Sequence, residues 1–313
     1  MMHKIFIDGK EGTTGLKIFD RLKNRSELEL LLLSDEERKK PAARRSMMEQ
    51  ADIVFLCLPD DAAREAVAMM AHCDAKIIDA STAHRTEADW SYGFPELSPA
   101  FREQISRGKK IVVPGCHASG FNALVYPLIA NGVLPANYPL ACFSLTGYSG
   151  GGKKMIADYE SAERSCEFAS PRQYALGQRH KHLNEMRHIS NLASPPLFCP
   201  VVADFFSGMQ VSVPLHTRFL AGKASIGELH APLSSHYEAA NGLVEVMPLG
   251  AEPAFLPANA LSGRDIMQIL VTGNDERINL ISTFDNLGKG ASGAAVQCMN
   301  ITLGMPENTG LVL

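Results

Sequence analysis

Long hydrophobic runs are missing from this chain. Stretches such as Leu30–Leu33 and Ile53–Leu58 fall far short of the roughly 20 apolar residues that a membrane-crossing helix needs. A basic excess is missing too. Lys and Arg number 30 against 34 Asp and Glu, a net charge of −4, which removes the electrostatic case for nucleic acid or an anionic membrane as partner. The seven cysteines show no CxxC spacing, and no HExxH occurs. An odd count without paired spacing argues against a disulfide framework and a zinc ribbon, so no metal is expected. At the N-terminus, Met1-Met2-His3-Lys4 runs into a strand pattern without the apolar stretch of a signal peptide. A reducing cytoplasm is the expected compartment.

What is present is an ordinary globular composition, 46% hydrophobic and 20% charged over 313 residues, a length that suggests two domains. Lys4–Asp8 reads as a buried strand, followed by a helix with Leu16, Phe19 and Leu22 on one face. Glu27–Leu33, Asp52–Leu58, Lys76–Asp79 and Lys110–Val113 read as further strands, and Pro59-Asp60-Asp61 opens a helix over 62–71. Strands alternating with helices predict an α/β fold with a doubly wound, Rossmann-like parallel sheet. Ligands of such sheets sit beyond the carboxyl ends of the strands. Pro59 and the Ser81-Thr82-Ala83-His84-Arg85 segment follow strands, and they are expected to converge there with the glycine turn and Cys116.

That glycine turn is Gly9-x-x-Gly12-Thr13-Thr14-Gly15, one residue looser than the usual dinucleotide fingerprint. Glycines let backbone approach a pyrophosphate, and the helix N-terminus faces its charge. At the tip of the second strand, Ser34 followed by the basic Arg38-Lys39-Lys40 favours NADP, whereas Asp35 leaves NAD open.

After Phe121 the pattern changes to an α+β domain. Leu140–Leu145 leads into Thr146-Gly-Tyr-Ser149-Gly-Gly-Gly-Lys153-Lys154, a run suited to an anion or to a plain loop. Residues 160–186 read as mostly helical. Val201–Phe206, Gln210–Leu215, Leu243–Met247, Ile266–Val271 and Asn279–Phe284 read as a largely antiparallel second sheet. Ser225-Ile-Gly-Glu228 has capping-box spacing before a helix to about residue 241. A helix over 290–303 is expected to pack back on the first domain. The domains are therefore 1–115, completed by 290–313, and 116–289.

The stretch from Ile111 to Phe121, Ile-Val-Val-Pro-Gly-Cys-His-Ala-Ser-Gly-Phe, organises the reading. Three β-branched residues end a strand, Pro114-Gly115 breaks it, and Cys116 falls at a helix start. There the dipole and free N–H groups favour a thiolate, the nucleophilic form. A buried small hydrophobe is the alternative. His180, His182 and Glu185 read as metal ligands, as a polar surface helix, or as acid/base partners of the thiolate.

Gly9-x-x-Gly12-x-x-Gly15, Val113-Pro-Gly-Cys116, the Ser-Gly-Gly-Gly run, His180-Lys-His182-x-x-Glu185 and the Asp285-Asn-Leu-Gly-Lys-Gly-Ala-Ser-Gly-Ala-Ala-Val-Gln segment together resemble the N-acetyl-γ-glutamyl-phosphate reductases of arginine biosynthesis, in their shorter form. The resemblance implies Cys116 as nucleophile, His182 as acid/base with His180 and Glu185 in support, Arg85 as ligand of the substrate anion and Asn286 near a nicotinamide. Ser81, Ser149 and Lys153 are further candidate substrate contacts. Lys181 and Asn184 stand where the longer form has Arg and Pro, which leaves the choice between His180 and His182 open. The family is NADP-dependent, cytoplasmic and homodimeric or homotetrameric, and acts on an acyl phosphate through a thioester. Aspartate-semialdehyde dehydrogenase shares that chemistry and is the alternative enzyme. A non-catalytic NADP-binding thiol sensor is the alternative from another class.

Overall fold

Short strands dominated by Ile, Val, Phe and Leu make the first sheet. The computed structural model describes residues 2–220 and 225–313. The chain divides into two units, Met1–Pro114 with Ala291–Leu311, and Gly115–Gly290 with Val312–Leu313. In the first, strands β1 (His3–Asp8), β2 (Leu28–Leu31), β3 (Ile53–Leu56), β4 (Lys76–Asp79), β5 (Ser91–Tyr92) and β6 (Lys110–Val112) pair in parallel in the order β2-β1-β3-β4-β6-β5. Helices α1 (Thr13–Leu22), α2 (Pro41–Gln50), α3 (Asp60–Met69) and α4 (Pro99–Arg107) connect them.

Successive strand residues point to opposite faces, and each face meets its own helices. Ile5, Ile7, Phe55, Ile78 and Ile111 pack with Ile18 and Leu22 of α1, Ile105 of α4 and the C-terminal helix Gly293–Thr302. Phe6, Val54, Leu56 and Ile77 pack with Met48 of α2 and Ala66 of α3. The face that α1 buries is Gly15, Ile18 and Leu22 with Phe19 packed against it, so of the Leu16, Phe19 and Leu22 stripe only Leu16, 38% exposed, falls outside. Gly15 sets that rotation, because a Cβ there would stand 2.5 Å from the Gly9 carbonyl oxygen.

The second unit holds α5 (Cys116–Ala130), β7 (Ala141–Gly147), α6 (Gly152–Glu160), β8 (Arg172–Gln173), α7 (His182–Ile189), β9 (Leu197–Ala203), β10 (Met209–His216), α8 (Ile226–Tyr237), β11 (Val244–Val246), β12 (Met267–Gly273) and β13 (Arg277–Phe284). Its seven strands run β11-β12-β13-β10-β7-β9-β8. They are antiparallel except for the parallel pairs β7–β9 and β11–β12. The capping box forms, with Ser225 and Glu228 each satisfying the other's backbone N–H.

Residues 160–186 are not mostly helical. Helix α6 ends at Glu160, and the chain then turns through hydroxyl-capped loops at Ser161 and Ser165. Beyond β8, Ala175 and Gln178 take positive φ of 52° and 54°, a left-handed conformation that no helix continues through. His180 therefore lies outside the helix that His182 begins.

Helix α5 crosses the second sheet closely. Pro127 lies inside it and cannot donate to the Ala123 carbonyl. The Tyr237 hydroxyl of α8 donates to that oxygen instead, at 2.9 Å. A methyl group at Gly120 would stand 2.6–2.8 Å from Val211, Ser282 and Phe284. Gly120→Ala should thus overpack this contact and cost about 1–3 kcal/mol, read as a lower urea midpoint. An unchanged midpoint would mean that α5 is free to shift.

Candidate active site

Cys116 is the first residue of α5, and Gly115 before it is extended. The Gly115 N–H donates to Glu185 Oε1 at 2.7 Å, and Glu185 is 1% exposed. Glu185 lies on α7, one turn after His182, which opens that helix. A second tie joins the same pair of helices, from Ser190 Oγ to Asn122 Oδ1 at 2.9 Å. The helices that begin with the candidate nucleophile and the candidate acid/base are thus locked together.

His117, the residue after Cys116, was not singled out from the sequence. It is buried, with Nδ1 at 2.7 Å from Ser144 Oγ and Nε2 at 2.7 Å from the Tyr174 hydroxyl. One nitrogen donates and the other accepts, whichever tautomer is present. Its ring centroid lies 5.6 Å from that of His180 and 5.4 Å from that of His182, and the His182 N–H donates to His180 Nδ1. The three imidazoles are close enough to share a metal ion, but both nitrogens of His117 already serve the two hydroxyls. Burial, then the charge of His180, push His117 down to about 3. Burial, then the charge of Cys116, push the Tyr174 phenol above its ordinary value. Adjacency to Cys116 is the sequence signal that points to His117.

Burial also pushes the Cys57 and Cys142 thiols up, which disfavours their nucleophilic form. The Asp285–Gly290 run comes beside Cys116, since a Cβ at Gly290 would stand 3.1 Å from the Cys116 Cβ. Asn286 accepts from the Gly208 N–H and donates to the buried Ser149 hydroxyl. Lys153 is exposed in the first turn of α6.

In the first unit, Gly9 has φ +83°, and a Cβ there would run into the Cys57 carbonyl. The turn closes with the Gly12 N–H on the Gly9 carbonyl. Thr13, Thr14 and Gly15 form the first turn of α1, where backbone N–H groups lack helical partners. Thr13 Oγ1 is buried with no hydrogen-bond partner among the described residues. Beside the turn is a cavity of about 240 Å³, lined by Gly9, Lys10, Asp35, Arg38, Lys39 and Arg44 among others. An orphaned hydroxyl and open N–H groups fit a dinucleotide phosphate; of the cations in the lining, Arg44 is held by Asp8 and Arg38 by Asp35. Ser34 bonds Glu37, Arg38 pairs with Asp35, and Pro59 caps α3. Ser81 donates to the buried Asp79, which also holds His84 at 2.6 Å, and Thr82 bonds Asp60. Arg85 donates to the Val113 and Ala80 carbonyls. The Ser81–Arg85 loop has no acid of its own but is held by two.

Residues 4–106 match the semialdehyde dehydrogenase NAD binding domain, and residues 116–286 match the semialdehyde dehydrogenase dimerisation domain. N-acetyl-gamma-glutamyl-phosphate reductase 2 of Nostoc sp. is 45% identical over 319 residues, covering 98% of this chain and 99% of its own. The reductase of Sinorhizobium fredii is 45% identical over 307 residues, covering 97% and 99%. The chain belongs to the N-acetyl-γ-glutamyl-phosphate reductase family. Its fold is that of aspartate semialdehyde dehydrogenase II from Vibrio cholerae, with a TM-score of 0.74 at 18% identity over 97% of this chain and 99% of that one. The Francisella tularensis enzyme gives 0.73 at 14% identity over 96% and 99%. A nicotinamide cofactor belongs to the matched domain, and the glycine turn fits its phosphates. Among the described residues no helix is long and apolar enough to cross a membrane.

The buried His117 makes stability depend on pH. Folded, it stays neutral down to about 3; unfolded, it titrates near 6.5. Between those values the unfolded chain binds the extra proton, so stability falls as pH falls through this window. His117→Gln should flatten that loss in urea midpoints taken at about pH 7 and about pH 4. Parallel curves for the two proteins would remove His117 as the cause.

Proposed function

We propose that this chain reduces N-acetyl-γ-glutamyl phosphate to N-acetylglutamate 5-semialdehyde with release of phosphate, the reductive step in arginine biosynthesis, with NADP as its cofactor. The observation that carries this reading is 45% identity to such reductases over nearly the whole chain, in a protein whose Cys116 heads a buried helix.

The Cys116 thiolate attacks the acyl carbonyl, the carbon–oxygen bond to phosphate breaks, and a thioester is left on the sulfur. When bound, a reduced nicotinamide supplies the hydride that turns this thioester into a thiohemiacetal. His182 protonates the oxygen as the thiohemiacetal forms and removes that proton as the carbon–sulfur bond breaks, freeing aldehyde and thiolate. Glu185 supports the step through the Gly115 N–H, and His180 supports it through the His182 N–H. Arg85, Ser81, Ser149 and Lys153 are assigned to the substrate and Asn286 to the nicotinamide. On this reading the first unit, residues 1–115 with 290–313, is the cofactor domain, and 116–289 is the catalytic and oligomerisation domain. The chain works in the cytoplasm as a homodimer or homotetramer. Phe143 and Leu197, 44% and 58% exposed on β7 and β9, support the second sheet as a subunit contact.

An acetylated substrate presents no ammonium, and the carboxylates that hold the Ser81–Arg85 loop, Asp60 of α3 and Asp79 of β4, are already bonded to Thr82, Ser81 and His84. N-acetylglutamate semialdehyde should therefore be preferred over aspartate semialdehyde by at least about 10³ in kcat/KM. The assay is NADP⁺ reduction with inorganic phosphate and each aldehyde. In it Cys116→Ser should retain less than about one-hundredth of kcat, a barrier increase above roughly 3 kcal/mol. His182→Ala should lose about 10²- to 10⁴-fold, and His180→Ala less. Comparable rates on the two aldehydes overturn the substrate assignment, an active Cys116→Ser overturns the nucleophile, and the reverse histidine order moves the acid/base role to His180.

NADP preference rests on Ser34 and on Arg38, which lines the cavity, since a guanidinium fork suits a 2′-phosphate. Arg38→Ala should weaken NADPH binding and spare NADH in calorimetric titration. Equal weakening of both places the 2′-phosphate elsewhere.

A further inference from the structure

We infer that Arg172 is the cation that holds the α-carboxylate of the substrate and selects for substrates that carry it; the identity of that substrate rests on the reductase reading above. Arg172 is the half-buried first residue of β8. Its guanidinium lies 3.9 Å from the Phe168 ring centroid and 5.0 Å from that of Tyr159. Its Nε is shut off from solvent with no hydrogen-bond partner among the described residues. The hydroxyl of Tyr159, a residue only 2% exposed, is buried without a partner as well. Asp204, two residues beyond Val202, the strand partner of Arg172, pairs with Arg164, and Glu160, next to Tyr159, accepts from the Tyr148 hydroxyl. A guanidinium that is stacked, partly dehydrated and free of a carboxylate is costly unless an anion completes it.

Sheet register places the backbone of Arg172 close to the residues that hold His117. Strand β8 pairs with β9 so that Arg172 faces Val202, and the Tyr174 N–H carries the ladder on to the Pro200 carbonyl. Across β9, Val202 pairs with Thr146 and Pro200 with Ser144. Tyr174 and Ser144 therefore share one row, and both bond the ring of His117, the neighbour of Cys116. Arg172 stands one row over on the same face, roughly 7 Å along the strand. In an extended five-carbon acyl chain the carboxylate lies about 5 Å from the reacting carbonyl. The Phe168 and Tyr159 rings hold the guanidinium carbon, and with Nε closed to solvent the two Nη groups are the ones to make a two-pronged carboxylate contact.

Binding is read first without turnover. N-acetylglutamate is titrated calorimetrically into wild type, Arg172→Gln and Arg172→Lys. Wild type should bind it, Arg172→Gln should bind about 10- to 100-fold more weakly, as for loss of a charge-assisted bond, and Arg172→Lys should lie between. Equal binding by wild type and Arg172→Gln, or none by wild type, overturns the inference. In kinetics, Arg172→Gln should raise the KM for N-acetylglutamate semialdehyde by the same factor with kcat nearly kept. The KM for inorganic phosphate and the kcat/KM for N-acetyl-4-aminobutanal, which lacks the carboxylate, should not change. A raised phosphate KM, or equal losses on both aldehydes, overturns the carboxylate assignment and leaves Arg172 with another anion or a packing role. A wild type that binds N-acetylglutamate but does not turn over its semialdehyde defeats the reductase reading alone.

Discussion

One hydrogen bond sets the geometry on which the rest of the site depends, that from the Gly115 N–H to the buried Glu185 carboxylate. Gly115 is where the chain leaves its extended run and enters α5, so its N–H is one that no helical carbonyl can take. A buried carboxylate 2.7 Å away satisfies it and fixes where the first turn begins. Because the carboxylate belongs to the helix that starts with His182, the same bond joins the start of one helix to the first turn of the other. A carboxylate close to a thiol opposes a second negative charge there. The dipole of α5 acts in the other direction.

Neutral neighbours follow from that balance. His117 adjoins Cys116, yet its ring sits between two hydroxyls in a dry setting and stays uncharged through the physiological range. It contributes order rather than charge, fixing Ser144 of β7 and Tyr174 beyond β8 against the start of α5. The Asp285–Gly290 run adds order from another side. Asp285 accepts from the Leu287 and Gly263 N–H groups, Asn286 spans Gly208 and Ser149, and Gly290 leaves room for Cys116.

Much of this architecture is legible from local pattern. Lys76–Asp79 is a strand with the bounds read from the sequence, and the Ser225–Glu228 capping box forms. The Pro-Gly-Cys break places Cys116 at a helix start because proline and glycine act within two residues. What escaped the pattern was decided at a distance. The polar 160–180 stretch has helical composition, but Arg164 is drawn to Asp204 and Gln178 to the backbone of Phe198, and left-handed residues intervene. Helix α2 buries only Met48, so its periodicity was too faint to read. The buried face of α1 is set by a glycine contact that hydrophobicity does not encode.

The same reasoning separates the histidines. Residue type and spacing present His180 and His182 as equivalent, two positions apart in a basic stretch. The backbone divides them. His182 opens α7, with the anchoring Glu185 in its first turn, and is held from below by a rigid helix. His180 precedes the helix, follows a residue pair containing a left-handed turn, and accepts the His182 N–H on its own ring. A group that must meet a developing alkoxide within a few tenths of an ångström needs the first kind of support. Position in the fold, rather than the identity of the side chain, therefore favours His182 as the proton carrier and His180 as the residue that orients it.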